Sequence, residues 1–160
     1  IEMIGVGDEK LEKVYPPHDR PYFQMLLKTQ SLFLAGEDVV THVPPYRAGI
    51  NMTSHLFSLE EEFDELPKFL EEDKSEENFR KTTQWFCKRL LRSGFEVTMD
   101  RVNHFTRDLY LCYEQFAELY PDRKEEMYRV LVNALNGHED PLQYSNLVKF
   151  LVAESTRIQS

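Results

Sequence analysis

Residues 105–119 read FTRDLYLCYEQFAEL, and this stretch shows most plainly which kind of fold the chain adopts. Its apolar side chains recur at intervals of three and four residues: Leu109, Cys112, Tyr113, Phe116 and Leu119. That spacing places them on one face of an α-helix. The sequence therefore predicts an amphipathic helix over Phe105–Leu119, with a start signal at Thr98 or Asn103.

The same period continues toward the C-terminus. Pro121-Asp122 marks a turn and a new start, and Asn136-Gly137 marks the end of the helix that follows. Its apolar face consists of Met127, Val130, Leu131, Ala134 and Leu135. Asp140-Pro141 opens a last helix. Short connections favour antiparallel packing of neighbouring helices.

Two further helices are predicted on the N-terminal side. Ser58 and Glu61 form a capping box for the first, which Pro67 is expected to shorten or kink. Ser75 opens the second, and Gly94 is expected to end it. The chain from about residue 56 onward thus reads as a series of amphipathic helices.

The first third of the chain has a different character. Ile1–Val6 and Leu11–Tyr15 alternate apolar and polar residues, which predicts one or two short strands, and a helix is predicted from about Pro21 to Leu34. The predicted fold class is mainly α: an antiparallel helical bundle preceded by a short α/β remnant. We expect 1–55 to form that remnant with a linker, and 56–160 to form the bundle domain.

Charge excludes some classes of partner. The chain of 160 residues carries 28 acidic and 19 basic residues, a net charge of -9. This argues against a nucleic-acid binder and against attraction to anionic membranes. Residues 60–77, which we call the acidic block, hold ten acidic and two basic residues, a net of -8. Most of the excess charge therefore lies in one segment.

The sequence also bears on the compartment. No apolar run approaches the roughly 18–20 residues that a membrane span needs, and no signal peptide is visible at Ile1. Two cysteines, Cys87 and Cys112, cannot make a disulfide framework. A cytoplasmic protein with reduced thiols is expected.

No common catalytic motif is present, and the five histidines lie far apart in the sequence, so no metal site is predicted. Cys112 is expected in the core. Cys87 is expected on the polar flank of its helix, where Lys88 and Arg89 would lower its pKa.

Basic residues offer a second kind of site. Lys88-Arg89 and Arg92 fall on the second predicted helix, and Arg101 and Arg107 fall near the start of the third. Two arginines on facing helices can bracket a triphosphate with bidentate hydrogen bonds. The alternative is an ordinary solvated helix surface.

The order of elements resembles the latter half of the aminoglycoside nucleotidyltransferase-like family. The resemblance rests on the strand Ile1-Glu2-Met3-Ile4, on the segment Thr29–Val39 with its Gly36-Glu37 turn, and on the closing helical bundle. It implies that 1–55 is the end of a nucleotidyltransferase-like α/β domain, followed by a C-terminal helical domain. It also implies Mg²⁺ and ATP as cofactors.

The resemblance implies roles for five residues. Glu2 matches the third carboxylate of the family's site and would act as the catalytic base. Arg89 and Arg107 match basic residues that contact ATP. Glu76 or Glu77 matches an acid that helps to bind the cationic substrate. The Gly-Ser … Asp-x-Asp motif that binds Mg²⁺ in the family is absent from this sequence.

The leading hypothesis is therefore the C-terminal portion of an adenylyltransferase-like enzyme. It would transfer a nucleotide from a triphosphate to a hydroxyl of a small, cationic substrate, and the chain alone would be inactive. The acidic block would then attract the substrate electrostatically. The alternative is a non-catalytic helical interaction module whose acidic block binds a basic protein partner. A regulatory small-molecule sensor on the same bundle is a third hypothesis.

Overall fold

The computed structural model describes residues 55–102 and 104–159, together with positions 25, 27, 28, 32, 38–42 and 49. The described residues form five α-helices: α1 (Leu59–Glu72), α2 (Glu76–Glu96), α3 (Leu109–Leu119), α4 (Lys124–Asn136) and α5 (Ser145–Gln159). Single 3₁₀ turns precede three of them: Leu56–Ser58 before α1, Pro121–Arg123 before α4 and Pro141–Tyr144 before α5. Another 3₁₀ turn spans Val39–His42.

The mainly α prediction is confirmed. Helix α2 is central and packs against α1, α3 and α4, while α5 packs against α1. The two predicted strands and Glu2 lie outside the described residues. Met25, Leu27 and Lys28 are helical, in agreement with the helix predicted from about Pro21 to Leu34.

Helices α2 and α4 run antiparallel. In the first half of α2, Gln84 Nε2 donates a hydrogen bond of 2.6 Å to the backbone oxygen of Leu135, near the end of α4. Near the other end of α2, Gly94 packs against Met127 in the first turn of α4. Helix α1 is likewise antiparallel to α2, since Phe69 contacts Trp85 and Glu62 pairs with Arg89.

Gly94 does not end α2, contrary to the prediction, because the helix continues to Glu96. A Cβ atom built on Gly94 would lie 2.5 Å from Met127 Cε and 3.3 Å from Phe116 Cδ2. The glycine therefore allows α3 and α4 to approach α2 closely. A helix terminator and a close-contact glycine look alike in a single sequence.

The main core lies along α2. Its fully buried members include Phe86, Leu90, Leu91, Phe116, Met127, Val130, Leu147 and Leu151. Complete burial of such side chains stabilises a fold by about 1.5–3 kcal/mol each. A smaller core joins Phe95, Met99 and Cys112 to Met25, which connects that helical position to the bundle.

Helices α2 and α3 each begin at a residue whose side chain caps the first backbone amides. Ser75 Oγ accepts a hydrogen bond of 3.1 Å from the amide of Asn78, as predicted. Asp108 Oδ1 accepts from the amides of Tyr110 and Leu111, so α3 begins at Leu109, later than the predicted Phe105. Aspartate is a favoured N-cap residue because it satisfies amides that have no partner within the helix.

The start of α1 differs from the prediction. Ser58 makes no side-chain capping bond; instead its hydroxyl donates to Glu62 Oε1 at 2.9 Å. Pro67 does not shorten α1, which continues to Glu72. The amides in front of α1 are satisfied by a residue distant in sequence, Glu96.

Candidate functional site

A buried carboxylate lies where the end of α2 meets the segment before α1. Glu96 is 5% exposed, and its Oε2 accepts hydrogen bonds from the amides of His55 at 3.0 Å and Leu56 at 2.8 Å. Its Oε1 lies 3.0 Å from His55 Nδ1. A carboxylate is favourable at this position because unpaired amides at a helical start carry partial positive charge. Glu96 therefore fixes the entry to α1 against the end of α2.

Arg89 occupies a neighbouring position on α2 and faces α1. Its Nη2 donates to Ser58 Oγ at 2.8 Å and forms an ion pair with Glu62. The Arg89 side chain is 24% exposed and that of Glu62 is 19% exposed, so the pair is largely shielded from water. In this structure Arg89 joins α1 to α2.

Arg107 is exposed and directly precedes Asp108, the N-cap residue of α3. It shares a narrow crevice with Arg92 of α2 and with His55, Phe95, Glu96, Phe105 and Thr106. We call this feature the arginine crevice. Two arginines, one from α2 and one from the loop before α3, thus line the same crevice.

Glu76 and Glu77 lie at the opposite end of α2. Both are exposed and line an open cleft of about 650 Å³ with Phe79, Arg80, Gly137 and His138. Glu77 pairs with Lys81, and this hydrogen bond holds the pKa of the Glu77 carboxyl below its ordinary value.

The structure therefore divides the predicted site residues. Arg89 and Arg107 both adjoin the segment 55–58, through Ser58 and His55 respectively. Glu76 lies 16 residues before Arg92, which corresponds to about 24 Å along a helix. Glu2 lies outside the described residues.

Sequence reasoning missed His55 and Glu96. The one available signal was Glu96 itself, because it is the only charged residue in the stretch Ser93–Met99. A charge within an apolar stretch needs a partner when it is buried. Its partner lies 41 residues away in the sequence and could not be identified from local spacing.

The expectation for Cys87 is wrong. Both Cys87 and Cys112 are fully buried and free. Burial raises the pKa of each thiol from the ordinary 9.0 to about 12. The neighbouring Lys88 and Arg89 do not lower it, because Cys87 faces the core while Arg89 faces Glu62.

Because of these two buried thiols, we expect the free energy of unfolding to decrease at alkaline pH. Because the folded pKa is raised, the unfolded chain releases the thiol protons first, from about pH 9. Stability is thus fully present below pH 9 and decreases between about pH 9 and pH 12, where the unfolded chain has released the thiol protons and the folded chain has not. Urea unfolding at pH 8, 9 and 10 measures this slope. The double variant Cys87→Ala, Cys112→Ala should show a shallower slope, and an unchanged slope would contradict the assignment.

Two features are absent from the described residues. No three His, Cys, Asp or Glu side chains there lie close enough together to hold a metal ion. No helix in the described part of the chain is long and apolar enough to cross a membrane.

Comparison of the chain with models of protein families, with curated proteins and with solved structures finds no match.

Proposed function

We propose that the bundle is the phosphate-binding part of a nucleotidyltransferase-like protein, and that the arginine crevice contacts the phosphates of a nucleoside triphosphate. The whole protein would transfer a nucleotide to a hydroxyl of a small cationic substrate. Arg107 is the principal contact, and Arg92 is the second.

One observation carries this proposal. Arg92 and Arg107 come from separate segments and line the same crevice beside His55. A planar guanidinium binds phosphate oxygens in a bidentate manner, and two of them can hold one polyphosphate. The nearby charge of Glu96 is partly offset because its oxygens accept hydrogen bonds from two backbone amides.

Arg89 has a different place in the proposal. The family resemblance assigns it to ATP, but its partners in this structure are Ser58 and Glu62. We treat Arg89 as a positioning residue that keeps the segment 55–58 against α2, beside the crevice. Substitution of Arg89 would then weaken nucleotide binding only to the extent that it lowers the stability of the fold.

The crevice has a volume of only about 10 Å³, so the phosphates would lie at its mouth, where Arg92 and Arg107 supply positive charge. No three His, Cys, Asp or Glu side chains of the described residues lie together as possible metal ligands. The role proposed for the crevice is charge neutralisation and positioning of the phosphates. The base that would take the hydroxyl proton is Glu2 in this proposal. A base must lie within hydrogen-bond reach of that proton.

The roles of Glu76 and Glu77 toward a cationic substrate stay a prediction. A substrate held there would lie about 24 Å from Arg92 along α2, too far for direct transfer at the crevice. The phosphate proposal therefore requires nothing of these two residues.

A cytoplasmic location remains part of the proposal, and the two free, buried thiols support it.

Replacing Arg107 with alanine is expected to weaken ATP binding about tenfold, because one charge-assisted contact is lost. Isothermal titration calorimetry of the chain with Mg·ATP measures this. Adenosine should not bind measurably, since the phosphates carry the interaction. Arg92→Ala should produce a similar loss.

Arg129→Ala is the matched control, because Arg129 is exposed on α4, on the side turned away from the core. It should leave the affinity for ATP unchanged. Equal binding of ATP by the wild type and by Arg107→Ala would overturn the role of the crevice. A weakened affinity in Arg89→Ala without any loss of stability would instead make Arg89 a direct contact.

A further inference from the structure

A second surface lies on the α1 and α2 side of the bundle. Phe69 of α1 and Trp85 of α2 meet edge to face, with ring centroids 6.4 Å apart. With Lys81 and Thr82 they line an apolar groove of about 310 Å³, which we call the aromatic groove. Phe69 is 40% exposed and Trp85 is 45% exposed. Both rings are therefore available to a ligand.

Exposed aromatic side chains of this kind are typical anchors for partners. Tryptophan is among the residues that contribute most to protein interfaces when a partner covers it. Helix α1 leaves much of the Phe69 ring in solvent. The groove has room for at least one large apolar side chain.

The surroundings of the groove carry strong negative charge. Glu65 and Glu72 lie four residues before and three after Phe69 in α1, so they share its side of the helix, and Asp73 directly follows the last helical residue. All three are exposed. Among the described residues that line the groove, Lys81 is the cation, and it is paired with Glu77.

We propose that the aromatic groove and the acidic block together dock a basic amphipathic segment of a partner protein. An apolar side chain of that segment enters between Phe69 and Trp85. Its lysine or arginine side chains pair with the carboxylates of α1. This surface acts independently of the arginine crevice, and its occupation is measured without nucleotide.

Charge selects this occupant over a second copy of the chain. A symmetric dimer through the groove would place two acidic blocks, each with a net charge of -8, against one another. Like charges across an interface disfavour such an assembly. A basic partner, in contrast, would be attracted by the same negative charges.

Trp85 is the single tryptophan of the chain, so its fluorescence reports on the groove directly. The test titrates the 160-residue chain with an amphipathic helical peptide of lysine and leucine. Binding should shift the Trp85 emission to shorter wavelength. Affinity should decrease with rising salt, because exposed charges are screened.

Variants then locate the interaction. Phe69→Ala should weaken binding about tenfold, whereas Tyr110→Ala, which removes an aromatic ring that is 56% exposed elsewhere, should not. Glu65→Gln with Glu72→Gln should weaken binding about threefold and flatten its salt dependence. Lys81→Gln should tighten it, because a like charge is removed. Thermal unfolding by circular dichroism checks that each variant is folded.

Three outcomes would overturn the proposal. The first is that a lysine-serine peptide binds as tightly as the lysine-leucine peptide, which would mean that the aromatic groove contributes nothing beyond the attraction between charges. The second is binding of a glutamate-leucine peptide of the same pattern. The third is a stable dimer in sedimentation whose formation shifts the Trp85 emission, since the occupant would then be a second copy.

Discussion

Replacing Gly137 with alanine is expected to lower the free energy of unfolding by about 3 kcal/mol. Gly137 ends α4 with a φ of 70° and a ψ of 32°, in the left-handed region. A side chain in this conformation costs roughly 1–2 kcal/mol. Its amide also closes the helix by donating 2.8 Å to the oxygen of Asn133.

The rest of the expected loss is steric. A Cβ atom on Gly137 would lie 2.5 Å from the backbone oxygen of Arg80, and 2.7 Å from Arg80 Cγ. A backbone atom inside α2 cannot move away without disturbing that helix. The end of α4 must therefore separate from α2 when Gly137 gains a side chain.

Urea unfolding followed by circular dichroism measures this change, with Gly94→Ala as the matched control. The Cβ of that variant meets the flexible tip of Met127, and alanine within a helix gains about 1 kcal/mol over glycine. Gly94→Ala should therefore lose less than half as much stability. Gly137→Asn separates the two causes, because asparagine tolerates a positive φ but still has a Cβ. Full stability of Gly137→Asn would refute the steric explanation.

Replacing Glu96 with alanine is also expected to cost about 3 kcal/mol. The amides of His55 and Leu56 would lose their acceptor, and each unsatisfied buried donor costs about 1–3 kcal/mol. Glu96→Gln keeps one oxygen as an acceptor but removes the charge, so it should cost about half as much.

The measurement combines chemical unfolding with amide hydrogen exchange. In Glu96→Ala, the amides of His55 and Leu56 should exchange faster than those in the middle of α4, because the effect begins at the entry to α1. Glu118→Ala is the control, since Glu118 is exposed on α3, and it should change stability by less than about 0.5 kcal/mol. A similar result for both variants would contradict the structural role of Glu96.

Local signals predicted the helices well where the chemistry is local. Ser75 caps α2 and Asn136-Gly137 ends α4, both as expected, because these motifs act on amides and carbonyls within a few residues. The apolar period also identified buried faces. It did not locate their edges: Leu135 was predicted inside and is 64% exposed. The spacing of apolar residues shows which side of a helix is apolar. It does not show how much of that side the neighbouring helices cover.

The site was harder to predict, because its groups are paired across the chain. Arg107 was expected near the start of a helix and does directly precede the N-cap residue of α3. Arg89 was recognised as a basic residue of α2, but its partner Glu62 lies 27 residues earlier. Neither spacing nor composition indicates that this arginine already has an acidic partner.

The sequence by itself determined the helical class, several helix boundaries and the position of the acidic block. These depend on hydrogen bonds and side-chain spacing among residues close in the chain. Only the tertiary structure decided that Gly94 admits a neighbouring helix, that Glu96 holds the start of α1, and that Phe69 and Trp85 form one groove. Each of these depends on the distance between helices, which packing sets and which residues far apart in sequence share.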